Sequence, residues 1–115
     1  MHPDTTIRRA NVLDLEGLGE LFDQYRQFYD CVSDLNKARG WLEENLEAGR
    51  STIFVADDGA HLSGFTQLYP ALCSVDLVEY FVLYDLYVSE PARRQGIARA
   101  LMNAARDWAQ APAAA

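Results

Sequence analysis

The sequence predicts an α/β (α+β) fold, a single mixed sheet with helices packed on it, in the order strand, helix, helix, strand, strand, strand, helix. Three observations carry that order. Apolar residues recur at helical spacing over 12–29 and again over 35–46. Two β-prone stretches flank an Asp-Asp-Gly turn at 57–59. A long aromatic and branched stretch then runs through Pro91 into a third helical pattern. No internal repeat and no linker interrupts the 115 residues, so 1–115 reads as one domain.

"TTIRRA" (5–10) is short and β-prone and gives the first strand. From Val12 onward, Leu15, Leu18, Leu21, Phe22, Tyr25, Phe28 and Tyr29 form one apolar stripe, and Asn11 or Asp14 can cap its start. Ser33 precedes a second stripe of Leu35, Ala38, Trp41, Leu42 and Leu46, and Gly49 stands where a helix-ending glycine is expected. "STIFVADDGAHLSGFTQLYP" (51–70) reads as two strands reversed at Asp57-Asp58-Gly59. "VDLVEYFVLYDLYVS" (75–89) reads as a strand buried on both faces, long enough to invite a bulge. Beyond Pro91, the spacing of Ile97, Ala100, Leu101, Ala104 and Trp108 predicts the last helix, and the chain runs out in "APAAA".

Composition narrows the function classes. Charged residues make up 23% and half the residues are hydrophobic, as in a globular domain. The apolar run at Val82 and Leu83 is far too short to span a membrane, and Asp4 and Arg8 stand where a signal peptide needs an apolar core, so a cytoplasmic address is expected. Acidic residues outnumber basic ones 17 to 10, which argues against nucleic acid as a partner. Cys31 and Cys73 lie far apart with no metal-ligand spacing and read as reduced thiols in or near the core.

Against that negative balance, "EPARRQGIARAL" (90–101) gathers Arg93, Arg94 and Arg99 around Gly96 at a helix start. A strand running into such a turn collects free backbone N–H groups in one concave spot, where the helix dipole adds positive potential. Gly96 allows close approach of a ligand and Ala98 keeps the next turn small. Arginine near a helix N-terminus opposes the dipole at a cost of up to about 1 kcal/mol unless an anion offsets it. The stretch therefore reads as a phosphate site.

"DLYVSEPARRQGIARALM" resembles the acetyl-coenzyme A binding segment of the GNAT superfamily of N-acetyltransferases. Its signature is Arg or Gln, two residues, Gly, any residue, then Gly or Ala, and Arg93, Gly96 and Ala98 fill those positions. The resemblance implies a GNAT-like fold and transfer of an acetyl group from acetyl-coenzyme A to a primary amine of a small molecule or peptide, without a metal. It implies that backbone groups of Leu86, Tyr87 and Val88 pair with the pantetheine arm. Arg94, Gln95, Gly96, Ile97, Ala98 and Arg99 would cradle the pyrophosphate. "LYDLYV" (83–88) also resembles the corresponding strand of polyamine acetyltransferases, which carry two adjacent acidic residues there. Tyr84 stands in the first acidic position and Asp85 in the second. Asp85 or Glu79 can then act as base through a water, or Asp85 can hold a cationic substrate. "YRQFYD" (25–30) falls at the family's substrate loop, which makes Tyr25 and Tyr29, with Tyr84, candidates for the acceptor pocket; Phe28 reads as core.

Relative to that family the expectation is a domain lacking its C-terminal strands and helix, with no tyrosine after Tyr87 to serve as acid. Truncation, a fragment of a longer whole, and a half-domain completed by a second copy all fit. In the first and last cases the strand at 77–88 becomes an exposed edge and a homodimer is expected. A coenzyme A-binding or self-associating module without turnover is the alternative to an enzyme.

Overall fold

A computed structural model of the chain describes residues 1–110. The elements follow the expected order: β1 (Thr6–Arg9), α1 (Leu15–Phe28), α2 (Leu35–Ala48), β2 (Thr52–Asp57), β3 (Leu62–Cys73), β4 (Val78–Val88) and α3 (Ile97–Gln110), with short 3-10 turns at Val12–Asp14 and Glu90–Ala92. The strands lie in the order β1-β2-β3-β4, every neighbouring pair antiparallel, so the sheet is not mixed among the described residues. Helices α1 and α2 cover one face and α3 the other. The expected fading of the chain at "APAAA" lies outside the described residues. None of the described helices is long and apolar enough to cross a membrane.

Asn11 caps the 3-10 turn rather than α1 itself. Its Oδ1 accepts from the Leu13 N–H at 2.9 Å, and its own N–H donates to Asp14 Oδ2 at 2.8 Å, so two otherwise orphaned donors are satisfied reciprocally. The start of α2 is capped by Asp34, which accepts from the Lys37 N–H, and not by Ser33. Ser33 instead donates to Asp23 of α1 at 2.6 Å, and the Asp34 N–H donates to the same carboxylate at 2.8 Å. Asp23 thereby ties the loop between the helices to α1. Gly49 ends α2 in the left-handed region, as its position in the sequence suggested.

The core has two parts, one on each face of the sheet. Leu18, Leu42, Ile53, Val55 and Phe65 are buried between the sheet and the helix pair, and Phe54, Ala56, Leu68, Ile97, Leu101 and Ala105 between the sheet and α3. Full burial of a side chain the size of Leu or Phe contributes roughly 1.5–3 kcal/mol, and β2 supplies such residues to both faces. Gly64 sets how near α3 can come: a Cβ there would lie 3.0 Å from the Tyr87 carbonyl oxygen and 3.3 Å from both Ile97 and Leu101. Phe28 is not core but 67% exposed, and neither cysteine is fully buried.

The expectation that the last strand is buried on both faces is not met. No residue of β4 is fully buried, and among the described residues β4 pairs with β3 alone. Its apolar density serves a hairpin whose far end carries exposed Leu72, Val75 and Leu77, together with the wall of a cavity at its near end. The expected bulge is present. Gln67 faces Asp85 and Leu68 faces Leu83, which leaves Tyr84 without a cross-strand partner.

Ser33, Asp34 and Gln27 all donate to Asp23, the Ser33 hydroxyl most strongly, and hold its carboxyl below the usual range. A depressed carboxyl contributes stability above its unfolded value and loses it as pH falls. Asp23→Asn is therefore expected to lower the melting temperature by about 5 °C at pH 7. The gap should begin to narrow below about pH 4, where Asp23 of the unfolded chain takes up a proton, and go on closing as pH falls toward the lower native value. Thermal unfolding of both proteins across pH 3–7 checks this; a constant gap would remove the carboxylate from the account.

Candidate functional site

The bulge decides which side chains meet. In a regular strand Tyr84 and Asp85 would point to opposite faces; the extra residue lets both line a cavity of about 610 Å³ between β4, β3 and the helix pair. Phe22, Tyr25, Arg26 and Tyr29 come from α1, Cys31 from the loop, Trp41 from α2 and Tyr69 from β3. The Tyr69 and Tyr84 rings meet edge to face with centroids 5.5 Å apart, and Tyr25 meets Tyr29 likewise at 5.2 Å. The lining is aromatic with one carboxylate in its wall.

Both oxygens of that carboxylate are held. The Tyr25 hydroxyl donates to Asp85 Oδ1 at 3.0 Å, and Gln67 Nε2 donates to Oδ2 at 2.9 Å. Thr66 Oγ1 donates to the Asp85 carbonyl at 2.8 Å and fixes the backbone at the bulge. Burial, and then the hydrogen bond to Asp85, push the Tyr25 phenol well above its ordinary value; burial also raises Tyr69. Tyr25 therefore stays protonated at neutral pH.

A second, narrower cavity of about 200 Å³ lies along the end of β4. It is lined by Tyr25, Phe28, Tyr29, Leu86, Tyr87, Val88 and Arg93, so it shares Tyr25 and Tyr29 with the first. Arg93 spans this edge: its Nε donates to the Val88 carbonyl at 2.9 Å and its guanidinium lies over the Tyr87 ring at 5.4 Å. That arginine is thus engaged with the strand and adds no free charge to the loop that follows.

In that loop Arg94 (φ 64°) and Gly96 (φ 85°) are both left-handed, one residue apart. Arg94 bears this conformation at a cost of roughly 1–2 kcal/mol, strain of the sort found where a loop must present its backbone to a ligand. Among the described residues, the N–H groups from Arg94 to Arg99 have no hydrogen-bond partner. Space around Gly96 is open, so a Cβ there would meet nothing within 4 Å; it would cost the strain of a left-handed backbone and take room from an incoming ligand. Gln95 Nε2 reaches back to the Pro91 carbonyl, Ile97 is buried against the sheet, and Arg94 and Arg99 are exposed without a carboxylate partner among the described residues. Unpaired N–H groups at a helix start, with two exposed cations beside them, suit a pyrophosphate.

Glu79 does not join this site. Its parity with Asp85 would place both on one face of an unbroken strand, but the bulge reverses the alternation. Glu79 shares the face of Phe81, which packs on Trp108 of α3, and lies exposed opposite Leu72. Sequence reasoning also passed over four polar residues behind Asp85. Gln67 accepts from Asn45 Nδ2 at 3.0 Å and from Ser51 Oγ at 2.7 Å, and Asn45 Oδ1 accepts from Arg50 Nε at 3.0 Å. The signal was present: Asn45 falls three residues after Leu42 on the buried face of its helix, and Gln67 two after Phe65 on the buried face of its strand.

Residues 16–114 match the acetyltransferase (GNAT) family. A Bacillus subtilis protein named uncharacterized N-acetyltransferase YhfO is 41% identical over 103 residues, covering 90% of this chain and 69% of that protein. A Haemophilus influenzae probable acetyltransferase is 32% identical over 101 residues, covering 87% and 69%. The crystal structure of a probable acetyltransferase, 38% identical, superposes with a TM-score of 0.86 over 91% of this chain and 71% of that one.

Gly96→Gln, which places a side chain in the open space above the loop, is expected to weaken coenzyme A at least about tenfold, the loss of one good contact. The melting temperature should fall by only a few degrees. Calorimetric titration decides it, and an unchanged affinity would separate the loop from anion binding.

Proposed function

Since the chain belongs to the acetyltransferase (GNAT) family and is an N-acetyltransferase using acetyl-coenzyme A, we propose that its acceptor is a primary amine of a small molecule or peptide, presented to Asp85. The observation that carries this reading is the carboxylate in the wall of an aromatic cavity that shares Tyr25 and Tyr29 with the groove along β4. The acceptor cavity and the cofactor groove then meet at two phenols.

Acetyl-coenzyme A supplies the acetyl group as an activated thioester. The edge of Leu86, Tyr87 and Val88 and the N–H groups from Arg94 to Arg99, with Gly96 leaving room and Ala98 small, would hold it. Within the other cavity an amine arrives as an ammonium ion, attracted by the ring faces of Tyr29, Trp41, Tyr69 and Tyr84 and by the Asp85 charge. It must lose a proton before its nitrogen can attack. Passing that proton from an amine near 10.4 to a carboxylate near 3.9 is uphill by about 9 kcal/mol in water, at 1.36 kcal/mol per unit. Desolvation among the aromatic side chains weakens the ammonium's hold on its proton and narrows that gap.

Tyr25 gives the proton an onward route. Part of what holds its phenol protonated is the Asp85 charge, and that part vanishes when Asp85 takes the proton. Tyr25 can then receive from Asp85 and donate toward the groove along β4, where the carbon–sulfur bond breaks as the carbon–nitrogen bond forms. The nitrogen sheds two protons on its way from ammonium to amide: one ends on the leaving thiolate, which becomes a thiol, and the other leaves from Asp85 to solvent. Asp85 is the base and Tyr25 the acid in this reading; Tyr29 and Tyr84 line the acceptor site.

The exposed edge of β4, with Val78, Tyr80 and Leu83 partly uncovered, supports pairing of this 115-residue chain with a second copy. Two free cysteines suit a reducing, cytoplasmic setting. Light scattering at low micromolar concentration should give twice the chain's 12.9 kDa mass; a cooperatively melting monomer would contradict the pairing.

Asp85→Asn keeps the shape and removes the charge. The expected result is a fall of about a hundredfold or more in kcat/KM for a panel of primary amines, with acetyl-coenzyme A affinity close to the parent's. Equal rates across pH in parent and variant would take Asp85 out of the reaction.

A further inference from the structure

We propose that Arg50, Asn45 and Gln67 form a one-way line of hydrogen bonds that fixes Gln67 as a donor to Asp85 Oδ2 and leaves only Oδ1 free to take a proton. Asn45 and Gln67 are on this account positioning residues for the acceptor site. The proposal rests on the reading of Asp85 as the group that meets the amine.

Its direction follows from what each group can do. A guanidinium only donates, so Arg50 Nε, 3.0 Å from Asn45, requires the amide oxygen Oδ1 to face it. Asn45 must then turn its NH₂ toward Gln67, at 3.0 Å. Gln67 in turn must present Oε1 to Asn45, where the Ser51 hydroxyl also donates at 2.7 Å. That leaves Gln67 Nε2, a pure donor, aimed at Asp85 Oδ2 at 2.9 Å. Asn45 is 1% exposed and Gln67 fully buried, so no water can substitute for a broken link without room being made.

The two oxygens of Asp85 therefore differ. A proton on Oδ2 would meet the Gln67 N–H head-on, and Gln67 cannot turn without setting its NH₂ against that of Asn45. Oδ1 faces only the Tyr25 hydroxyl, which rotates freely about its C–O bond. Proton arrival is confined to the side shared by the two cavities. Other titratable or charged groups around the same cavity are Arg26 and Tyr29 of α1, Cys31 of the loop, Tyr69 of β3 and Tyr84 of β4; none of them bonds to Oδ2.

Asn45→Asp reverses the line without touching Asp85. The new carboxylate still accepts from Arg50 but offers a second acceptor to Gln67, whose amide must turn end for end. Oε1 then faces Oδ2, and the two acceptors can stay at that distance only with a proton between them. Carbon NMR titration of the Asp85 carboxyl is expected to show a midpoint raised by about one unit or more. Should Asn45→Asp fail to fold, Arg50→Met, at a part-exposed position, releases the direction of Asn45 and is expected to raise the midpoint less; measurement at high salt screens the lost charge. Unchanged midpoints in the folded variants overturn the proposal, as does a loss of rate that is uniform across pH with the midpoint fixed. A raised midpoint supports it. If the acid limb of kcat/KM then fails to follow that midpoint, the line stands and it is the role of Asp85 in the reaction that falls.

Discussion

Tyr84, the one residue of β4 without a cross-strand partner, sets the geometry on which the rest of the site depends. Strand alternation is strict, so one extra residue inverts the facing of everything on one side of it. From Val88 back to Asp85, odd-numbered residues face the helix pair; from Leu83 back to Val78, even-numbered ones do. The aromatic cavity needs both halves of that arrangement. Without the bulge Tyr84 would look toward α3, the far half of the hairpin would turn its other face to the helices, and Tyr69 would lose the ring beside it. Thr66 pins the irregularity by bonding the Asp85 carbonyl, so the distortion is held from the neighbouring strand and not from within β4.

At the other end of β4 a second constraint operates through absence of bulk. Gly64 lets Ile97 and Leu101 seat against the sheet directly behind Val88, which brings the first turn of α3 close to the strand's end. The loop joining them is consequently short and must turn sharply, and the left-handed Arg94 and Gly96 are how it does so. The strain in that loop and the tight packing beneath it are two sides of one arrangement. A more relaxed loop would let α3 drift outward.

Much of this was legible in the sequence because it depends on local rules. Seven elements in order, the Asp-Asp-Gly reversal, the Gly49 ending and the glycine at the last helix start all follow from spacing and residue type. The facing of β4 was not legible, because apolar density alone cannot tell a strand covered on both sides from one whose residues divide between a helix, a cavity and solvent. The same limit misplaced Phe28, whose helical spacing matches that of Phe22 and Tyr25 although the stripe turns away from the core at its last turn. The cap of the second helix needed tertiary structure as well: Ser33 and Asp34 are both good capping residues, and only the position of Asp23 eleven residues earlier decides which of them is free to serve. The buried polar line behind Asp85 needed three elements to be placed before any of its bonds could be drawn.

Tyr25 and Tyr29 stand as a party wall between the two cavities, and a wall of that kind makes the occupants thermodynamically aware of each other. Whatever settles in the groove along β4 removes rotamer freedom from two rings that the neighbouring chamber also uses, and the next guest no longer has to order them. Reciprocity then fixes the other half: if the first ligand tightens the second by some factor, the second tightens the first by the same factor, whichever arrives first. Order of arrival is left to kinetics, while the preference for having both chambers filled together is written into two shared side chains.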